Sequence, residues 1–123
     1  MVTPSRGDVW WVRRGTADEQ ASDATERRRP YLVVSGDPWN HEPRYPRITV
    51  CPLTGLENVT RRYDTDVVLR KRETGLPKDS VVKCVEVYTF FRERLIERVA
   101  QLSPARMREI DHALGLYLSL VLP

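Results

Sequence analysis

Short apolar runs rich in β-branched residues recur along most of the chain. They lie at residues 9–12, 31–35, 47–51, 66–69 and 80–88. Turn residues separate them, at residues 36–38, at Gly55 and at residues 75–79. Runs of this length predict strands, and residues 101–103 are expected to add a last short one. Their spacing predicts a small, strongly bent antiparallel sheet or barrel.

The C-terminal segment has the period of a long helix instead. Ser103 is a suitable N-cap, and Pro104 fits the first helical position. Apolar residues then recur every three or four positions, namely Met107, Ile110, Leu114, Tyr117, Leu118 and Val121. This stripe predicts a helix that lies across the sheet and closes the core. Residues 91–95 are expected to form one further helical turn.

Two polar segments, residues 13–28 and 39–45, lack any apolar period and are predicted as loops. The 123 residues fit a single domain, taken as residues 1–123. The sequence has no run of about 18 apolar residues and no signal-peptide pattern. We therefore expect a cytoplasmic protein without a membrane span.

Charge and cysteine content exclude few of the possible functions. The net charge is +3, with 17 Arg against 3 Lys. Arginine grips phosphate with two bonds, but a biased genome composition produces the same excess. Cys51 and Cys84 lie in apolar runs and are predicted to be buried, reduced thiols. Neither His41 nor His112 stands at ligand spacing from them, so no metal and no cofactor is predicted.

Several short motifs follow one another in a set order. Residues 6–12 read RGDVWWV, residues 29–35 read RPYLVVS and residues 50–54 read VCPLT. This order resembles the MazF/PemK family of toxin ribonucleases, and later segments continue the match over more than 100 residues. The resemblance implies a mainly β fold with α (α+β), a small SH3-like barrel of the CcdB/PemK type closed by a C-terminal helix.

The resemblance also implies an activity: sequence-specific, metal-independent cleavage of single-stranded RNA. In such a reaction the ribose 2′-hydroxyl attacks the neighbouring phosphate, which leaves a cyclic phosphate and a 5′-hydroxyl. The enzyme must stabilise phosphoryl charge and move protons, and DNA lacks the nucleophile. Family membership further implies the toxin of a type II toxin–antitoxin system, a homodimer and a cognate antitoxin partner.

Two residues are expected to carry the catalysis. The resemblance places the family's catalytic arginine at Arg29, where the guanidinium would bind the pentavalent phosphate and protonate the leaving oxygen. Thr54 matches the threonine that ends the family's third strand, and its hydroxyl would hydrogen-bond a phosphate oxygen. The alternatives are a surface arginine within residues 27–29 and a turn threonine before Gly55.

The general base stays open. One PemK-type branch of the family carries an Arg-x-Asp pair on its fifth strand, and the matching positions here are Lys83 and Val85. Lys83 keeps the cationic role, but the acid is missing. Glu86 is adjacent, although strand alternation would turn it to the other face. Glu19 and Glu26, in the first loop, are further candidates.

Other residues are candidates for RNA binding. Arg27 and Arg28 are expected to attract phosphate, and Trp39 is a candidate platform for a base. Strand alternation places Trp10 and Trp11 on opposite faces. One is expected in the core, and the other would stack on a base or fill a dimer interface.

Two other functions stay open on sequence alone. CcdB-type toxins share this barrel but poison DNA gyrase without enzymatic activity, through the end of the C-terminal helix. An RNA-binding barrel that has lost catalysis is the other, because Val85 replaces the acid. Arg29-Pro30 and the Pro52-x-Thr54 motif favour the nuclease.

Overall fold

The structure, a computed structural model, describes residues 3–13 and 28–121. Its strands are β1 (Asp8–Arg13), β2 (Arg28–Val33), β3 (Arg47–Gly55), β4 (Asp66–Leu69), β5 (Ser80–Lys83), β6 (Tyr88–Phe91) and β7 (Leu95–Gln101). Its helices are α1 (Asp37–Asn40), α2 (Lys71–Thr74) and α3 (Pro104–Tyr117). Single 3-10 turns occupy Leu56–Asn58 and Arg92–Arg94. The described part of the chain is therefore mainly β, as predicted.

The strands form one antiparallel sheet in the order β4-β5-β3-β2-β1-β7, and β6 also pairs with β3. The long strand β3 joins the two parts, because its first half pairs with β6 and its second half with β5. Register shifts in the β1–β7 pair mark irregularities that increase local twist. Among the described strands, β4 and β7 each pair on one side only, so the expected barrel is an open sheet.

Alternating side chains of the central strands pack into two separate hydrophobic cores, one on each face of the sheet. Val9, Leu32 and Cys51 lie in one, which α3 covers through Ile110 and Ala113. The other, on the opposite face, is built from Trp10, Val12, Tyr31, Val33, Ile48, Val50 and Leu95. The core position predicted for one of the two adjacent tryptophans thus belongs to Trp10, while Trp11 is half-buried.

Both cysteines are buried free thiols, as predicted. Burial raises the pKa of Cys51 and that of Cys84 to about 12. Each therefore stays a protonated, apolar side chain near neutral pH, and its contribution is to packing. No helix in the described residues is long and apolar enough to cross a membrane.

Helix α3 begins where the sequence predicts but ends earlier. The Ser103 hydroxyl accepts a hydrogen bond from the Arg106 N–H at 3.2 Å. The predicted stripe is wrong from Tyr117 onward, since Tyr117, Leu118 and Val121 are exposed. Ser119 adopts a left-handed conformation (φ 60°), and the Leu120 N–H returns to the Gly115 carbonyl at 2.7 Å. This reversal stops the helix before its last apolar residues reach the core.

The predicted strand at residues 80–88 is in fact two strands. β5 ends at Lys83, where the Glu86 N–H donates to the Lys83 carbonyl at 2.9 Å and closes a turn. β6 then begins at Tyr88 and pairs with the other half of β3. The last strand is likewise longer than expected, because β7 begins at Leu95. The helical turn expected at residues 91–95 is present as the 3-10 turn Arg92–Arg94.

Candidate active site

Arg29 and Thr54 meet on neighbouring strands. The register pairs Tyr31 of β2 with Pro52 of β3, so Arg29 and Thr54 occupy the next position on the same face. The Arg29 Nη2 donates to the Thr54 Oγ1 at 2.7 Å, and both side chains are half-buried. The guanidinium also lies 5.9 Å from the centre of the Tyr31 ring. The two predicted catalytic residues are therefore in direct contact.

Lys83 lies on the same face of the sheet, one strand further along. It is opposite Asp66 in the β4–β5 register. Its ammonium donates to the Asp66 Oδ2 at 2.9 Å and lies 2.8 Å from Oδ1. The Oδ1 contact lacks hydrogen-bond geometry, so it counts as an ion pair only. The carboxylate of Asp66 has no exposed surface, whereas 11% of the Lys83 side chain reaches solvent.

A cleft of about 280 Å³ opens beside these residues. The loop between β3 and β4 forms one wall, and Thr54, Lys83 and Glu86 form the other. Two cations, Lys83 and Arg61, line it, and Glu86 is the carboxylate among its lining residues. The ammonium of Lys83 also lies 5.1 Å from the centre of the Tyr63 ring. A cleft with this mixture of charge and hydrogen-bonding groups suits a phosphate with an adjacent proton-transfer step.

Glu86 reaches this cleft because the strand ends before it. The expectation that alternation turns Glu86 to the other face is wrong, since the turn after Lys83 breaks the period. The Glu86 Oε1 accepts a hydrogen bond from the Tyr88 hydroxyl at 3.3 Å. Burial and the nearby Glu86 raise the pKa of Tyr88 above its ordinary value of 10. The phenol therefore stays protonated and acts as the donor.

Tyr88 connects Glu86 to the arginine side of the site. It is opposite Val50 in the β3–β6 register, on the face that also carries Thr54. Its ring meets Tyr31 edge-on at 6.5 Å and stacks on Phe90 at 6.0 Å. The sequence does not identify Tyr88 or Asp66, because their contacts depend on strand pairing that no local motif records.

Two further RNA-binding candidates, Arg28 and Trp39, lie away from the cleft. Arg28 is exposed on the other face of β2, and its guanidinium lies 4.6 Å from the centre of a Trp11 ring. Trp39 is 61% exposed in α1, at the opposite end of β2 from Arg29. Arg27, Glu19 and Glu26 lie outside the described residues.

The loop that carries Trp39 is held from beneath. The guanidinium of Arg92 is buried and donates to four backbone carbonyls, those of Trp39, Asn40, Glu42 and Tyr45. The Trp39 ring lies 5.6 Å from that of Tyr45. The second predicted loop is therefore a fixed support that presents an exposed aromatic ring.

Potential metal ligands are scattered. Within residues 3–13 and 28–121, no three side chains of His, Cys, Asp or Glu gather in a group that could hold a metal ion. The acids near the cleft are instead engaged by cations or hydroxyls, as in the pair of Asp66 and Lys83.

Comparison with known proteins identifies the family. The sequence model of the PemK-like, MazF-like toxins of type II toxin–antitoxin systems matches residues 5–118. The endoribonuclease MazF9 of Mycobacterium tuberculosis is 32% identical over 118 residues, which cover 94% of this chain and 96% of that protein.

Solved structures agree on the fold. An endoribonuclease from a mycobacterial species superimposes with a TM-score of 0.73 at 23% identity, covering 100% of this chain and 98% of that one. A mycobacterial endoribonuclease in complex with its cognate antitoxin gives a TM-score of 0.71 at 23% identity, with 100% of both chains covered. The predicted resemblance is thus confirmed, and this chain belongs to the family of PemK-like, MazF-like toxins of type II toxin–antitoxin systems.

Proposed function

We propose that this chain is a metal-independent, sequence-specific endoribonuclease that cleaves single-stranded RNA as the toxin of a toxin–antitoxin pair. The observation that carries the proposal is the contact of Arg29 with Thr54 at 2.7 Å, beside a cleft lined by Lys83 and Arg61. The likeness to an endoribonuclease over nearly the whole chain supports it.

Arg29 supplies the principal positive charge for the transition state. In the attack by the 2′-hydroxyl, negative charge builds up on the phosphoryl oxygens, and a planar guanidinium binds two of them at once. Lys83 is a weaker source of field, because the buried carboxylate of Asp66 already balances its charge. Lys83 therefore assists in substrate binding, while Arg29 acts in catalysis.

Thr54 orients Arg29 and offers a second hydrogen bond. In the free protein its oxygen accepts an N–H of the guanidinium, which holds the arginine at the edge of the cleft. The hydroxyl hydrogen remains available for a phosphate oxygen. An arginine already fixed in this way loses little conformational freedom when RNA binds.

The partners follow from the family. We propose a homodimer whose two copies form the RNA groove, and a cognate antitoxin whose acidic, apolar segment covers Arg29. The charged neighbourhood of Arg29 gives the electrostatic reason for such a segment. We expect Arg27 and Arg28 to attract phosphate and Trp39 to serve as a platform for a base. We also expect the protein to act in the cytoplasm, where RNA substrates are found.

Incubation of labelled RNA with the protein in EDTA tests the proposal. We expect cleavage to persist in the chelator, with Arg29→Ala inactive in parallel. Cleavage that stops in EDTA and returns with a divalent ion would overturn the mechanism. RNA binding without cleavage would instead mark an inactive barrel. No observation favours the gyrase poison, and a supercoiling assay with the same preparation checks that alternative.

A further inference from the structure

The family motif does not supply this chain with a carboxylate that could take the proton from the 2′-hydroxyl. Val85 stands where one branch of the family has its acid, and the Val85 side chain does not titrate. Asp66 is close to the cleft, but its carboxylate has no exposed surface and is bound to the Lys83 ammonium. Asp66 is therefore unable to reach a substrate hydroxyl, and its charge is already satisfied.

Glu86 satisfies the geometric requirements that Asp66 does not. The turn after Lys83 brings it into the cleft together with Thr54, whose hydroxyl contacts Arg29. It is partly exposed, so a substrate has access to it. The Tyr88 hydroxyl binds one of its oxygens at 3.3 Å, which leaves the other free to accept a proton.

We propose that Glu86 is the general base of this enzyme and that Tyr88 is the positioning residue that orients its carboxylate. This inference rests on the proposed ribonuclease function. As Glu86 takes the proton of the 2′-hydroxyl, the bond from O2′ to phosphorus forms and the bond from phosphorus to O5′ breaks. The Arg29 guanidinium passes a proton to the departing 5′ oxygen and regains one from solvent water, and Glu86 later returns its proton to solvent.

The charges around Glu86 are those such a base needs. Lys83 lies beside it on β5, Arg61 and Tyr63 line the same cleft from the loop between β3 and β4, and Tyr88 donates to it from β6. The neutral Tyr88 hydroxyl donates to the carboxylate, and the cations Lys83 and Arg61 line the same cleft. An ionised, hydrogen-bonded carboxylate is the state required to accept a proton.

Single-turnover cleavage by Glu86→Gln gives the first test. We expect a loss of about 100- to 10,000-fold, the range typical of a general base, and loss of the fall in rate toward acidic pH. The matched control is Glu97→Gln, an exposed carboxylate on β7, which should cleave at the wild-type rate. Circular dichroism and binding of a 2′-O-methyl RNA confirm that each variant is folded and binds.

Substrate chemistry separates a base from an acid. A substrate with sulfur at the 5′ bridging position has a leaving group that needs no proton, so it rescues the loss of an acid only. Glu86→Gln should remain as slow, relative to wild type, on this substrate as on ordinary RNA. A return to within about threefold of wild type would make Glu86 the acid and contradict the proposal.

Tyr88→Phe tests the positioning role. It should slow cleavage by about threefold to tenfold, the usual effect of losing one hydrogen bond. In the Glu86→Gln background it should have no further effect, because Tyr88 acts through Glu86. Additive losses would refute that role.

The first-loop acids provide the competing arm. Glu19→Gln and Glu26→Gln should each cleave at close to the wild-type rate. If one of them loses activity while Glu86→Gln does not, the base lies in the first loop and the inference fails, although the ribonuclease function stands. If wild-type protein itself does not cleave RNA, the proposed function fails.

Discussion

At the scale of single residues, the site depends on the shape of a side chain as much as on its charge. The guanidinium of Arg29 is a planar fork, and one of its nitrogens already donates to Thr54. Lys83 carries the same formal charge, but its ammonium is committed to Asp66. Arg29 and Lys83 are therefore not interchangeable, and substitutions at Arg29 should show this directly.

Arg29→Ala should abolish cleavage while the fold is retained. Loss of a group that stabilises the transition state commonly costs about 100- to 1000-fold in rate, whereas loss of a surface cation changes stability by about 0.5 kcal/mol or less. Arg29→Lys should restore little, because a point charge lacks the two-pronged grip. Thr54→Ala removes a hydrogen-bonding hydroxyl but no charge, so it should lose less.

Single-turnover cleavage of one RNA by these variants, with circular dichroism as the folding control, makes the comparison. A near wild-type rate for Arg29→Ala would mean that the catalytic arginine has been assigned to the wrong position.

Arg28→Ala should behave differently from its neighbour. Its guanidinium lies over Trp11 on the other face of β2, so we expect the residue to act on RNA only through long-range charge. The variant should bind RNA more weakly at low salt, and the difference should shrink as salt rises. Binding titrations at several salt concentrations measure this. A cleavage defect at saturating RNA would place Arg28 in the catalytic machinery instead.

At the scale of elements, strand periodicity predicts that a run of residues forms a strand better than it predicts where that strand ends. The strand at residues 66–69 coincides with β4, because polar residues bound it on both sides. The run at residues 80–88 misleads because its apolar residues continue through the turn, which contains no glycine or proline. Hydrogen bonds from β3 to two different partners decide its division, and no local pattern records them.

The same reasoning explains which site residues the sequence identifies. Arg29 and Thr54 lie in motifs of their own, so the resemblance marks them. Strand alternation predicts the wrong face for Glu86, because the apolar pattern extends the predicted strand past Lys83, where β5 ends. Tyr88 and Asp66 acquire their roles only through pairing across strands.

Helices α2 and α3 are joined by an ion pair whose strength depends on pH. Two guanidinium nitrogens of Arg106 donate to the Glu73 carboxylate at 2.7 and 3.1 Å. The Arg106 hydrogen bonds hold the pKa of Glu73 below its ordinary value of 4.5. Because the pKa of Glu73 is lower in the folded protein, the ion pair stabilises the fold above the ordinary pKa of 4.5. That stabilisation is lost as the pH falls through the pKa of the folded protein.

Glu73→Gln should therefore lower the free energy of unfolding by up to about 1 kcal/mol near neutral pH. The difference from wild type should vanish as the carboxyl protonates at lower pH. Urea unfolding of both proteins across the acid range measures it. A difference that persists below the ordinary pKa would show that the carboxylate charge is not responsible. Arg108→Gln, an exposed change on α3, serves as the control.

At the scale of the whole molecule, the sheet buries both of its faces and leaves its functional cleft at one edge of the central strands. One core is covered by α3 and the other by β6 and β7 residues. Arg29 and Thr54 stand beyond the second core, where the packed face gives way to the cleft. This arrangement separates stability from the proposed catalysis, since Arg29 and Thr54 are not among the residues that fill the core.

We expect the molecule to work as a homodimer. Family resemblance gives this prediction, and a two-fold axis would place the same patch of both copies on one RNA groove. One chain has a mass of 14.3 kDa, and light scattering at micromolar concentration should report twice that mass. A monomer that cleaves RNA at full rate would contradict the shared groove.

The most direct test of the account is the chemistry of the RNA ends made in EDTA. Wild-type protein should leave a 2′,3′-cyclic phosphate and a 5′-hydroxyl, and a single 2′-deoxy substitution at the cut should block cleavage there. Arg29→Ala should yield no product. A cut that survives the 2′-deoxy substitution, or leaves a 5′-phosphate, would contradict attack by the 2′-hydroxyl and with it the roles assigned to Arg29, Thr54 and Glu86.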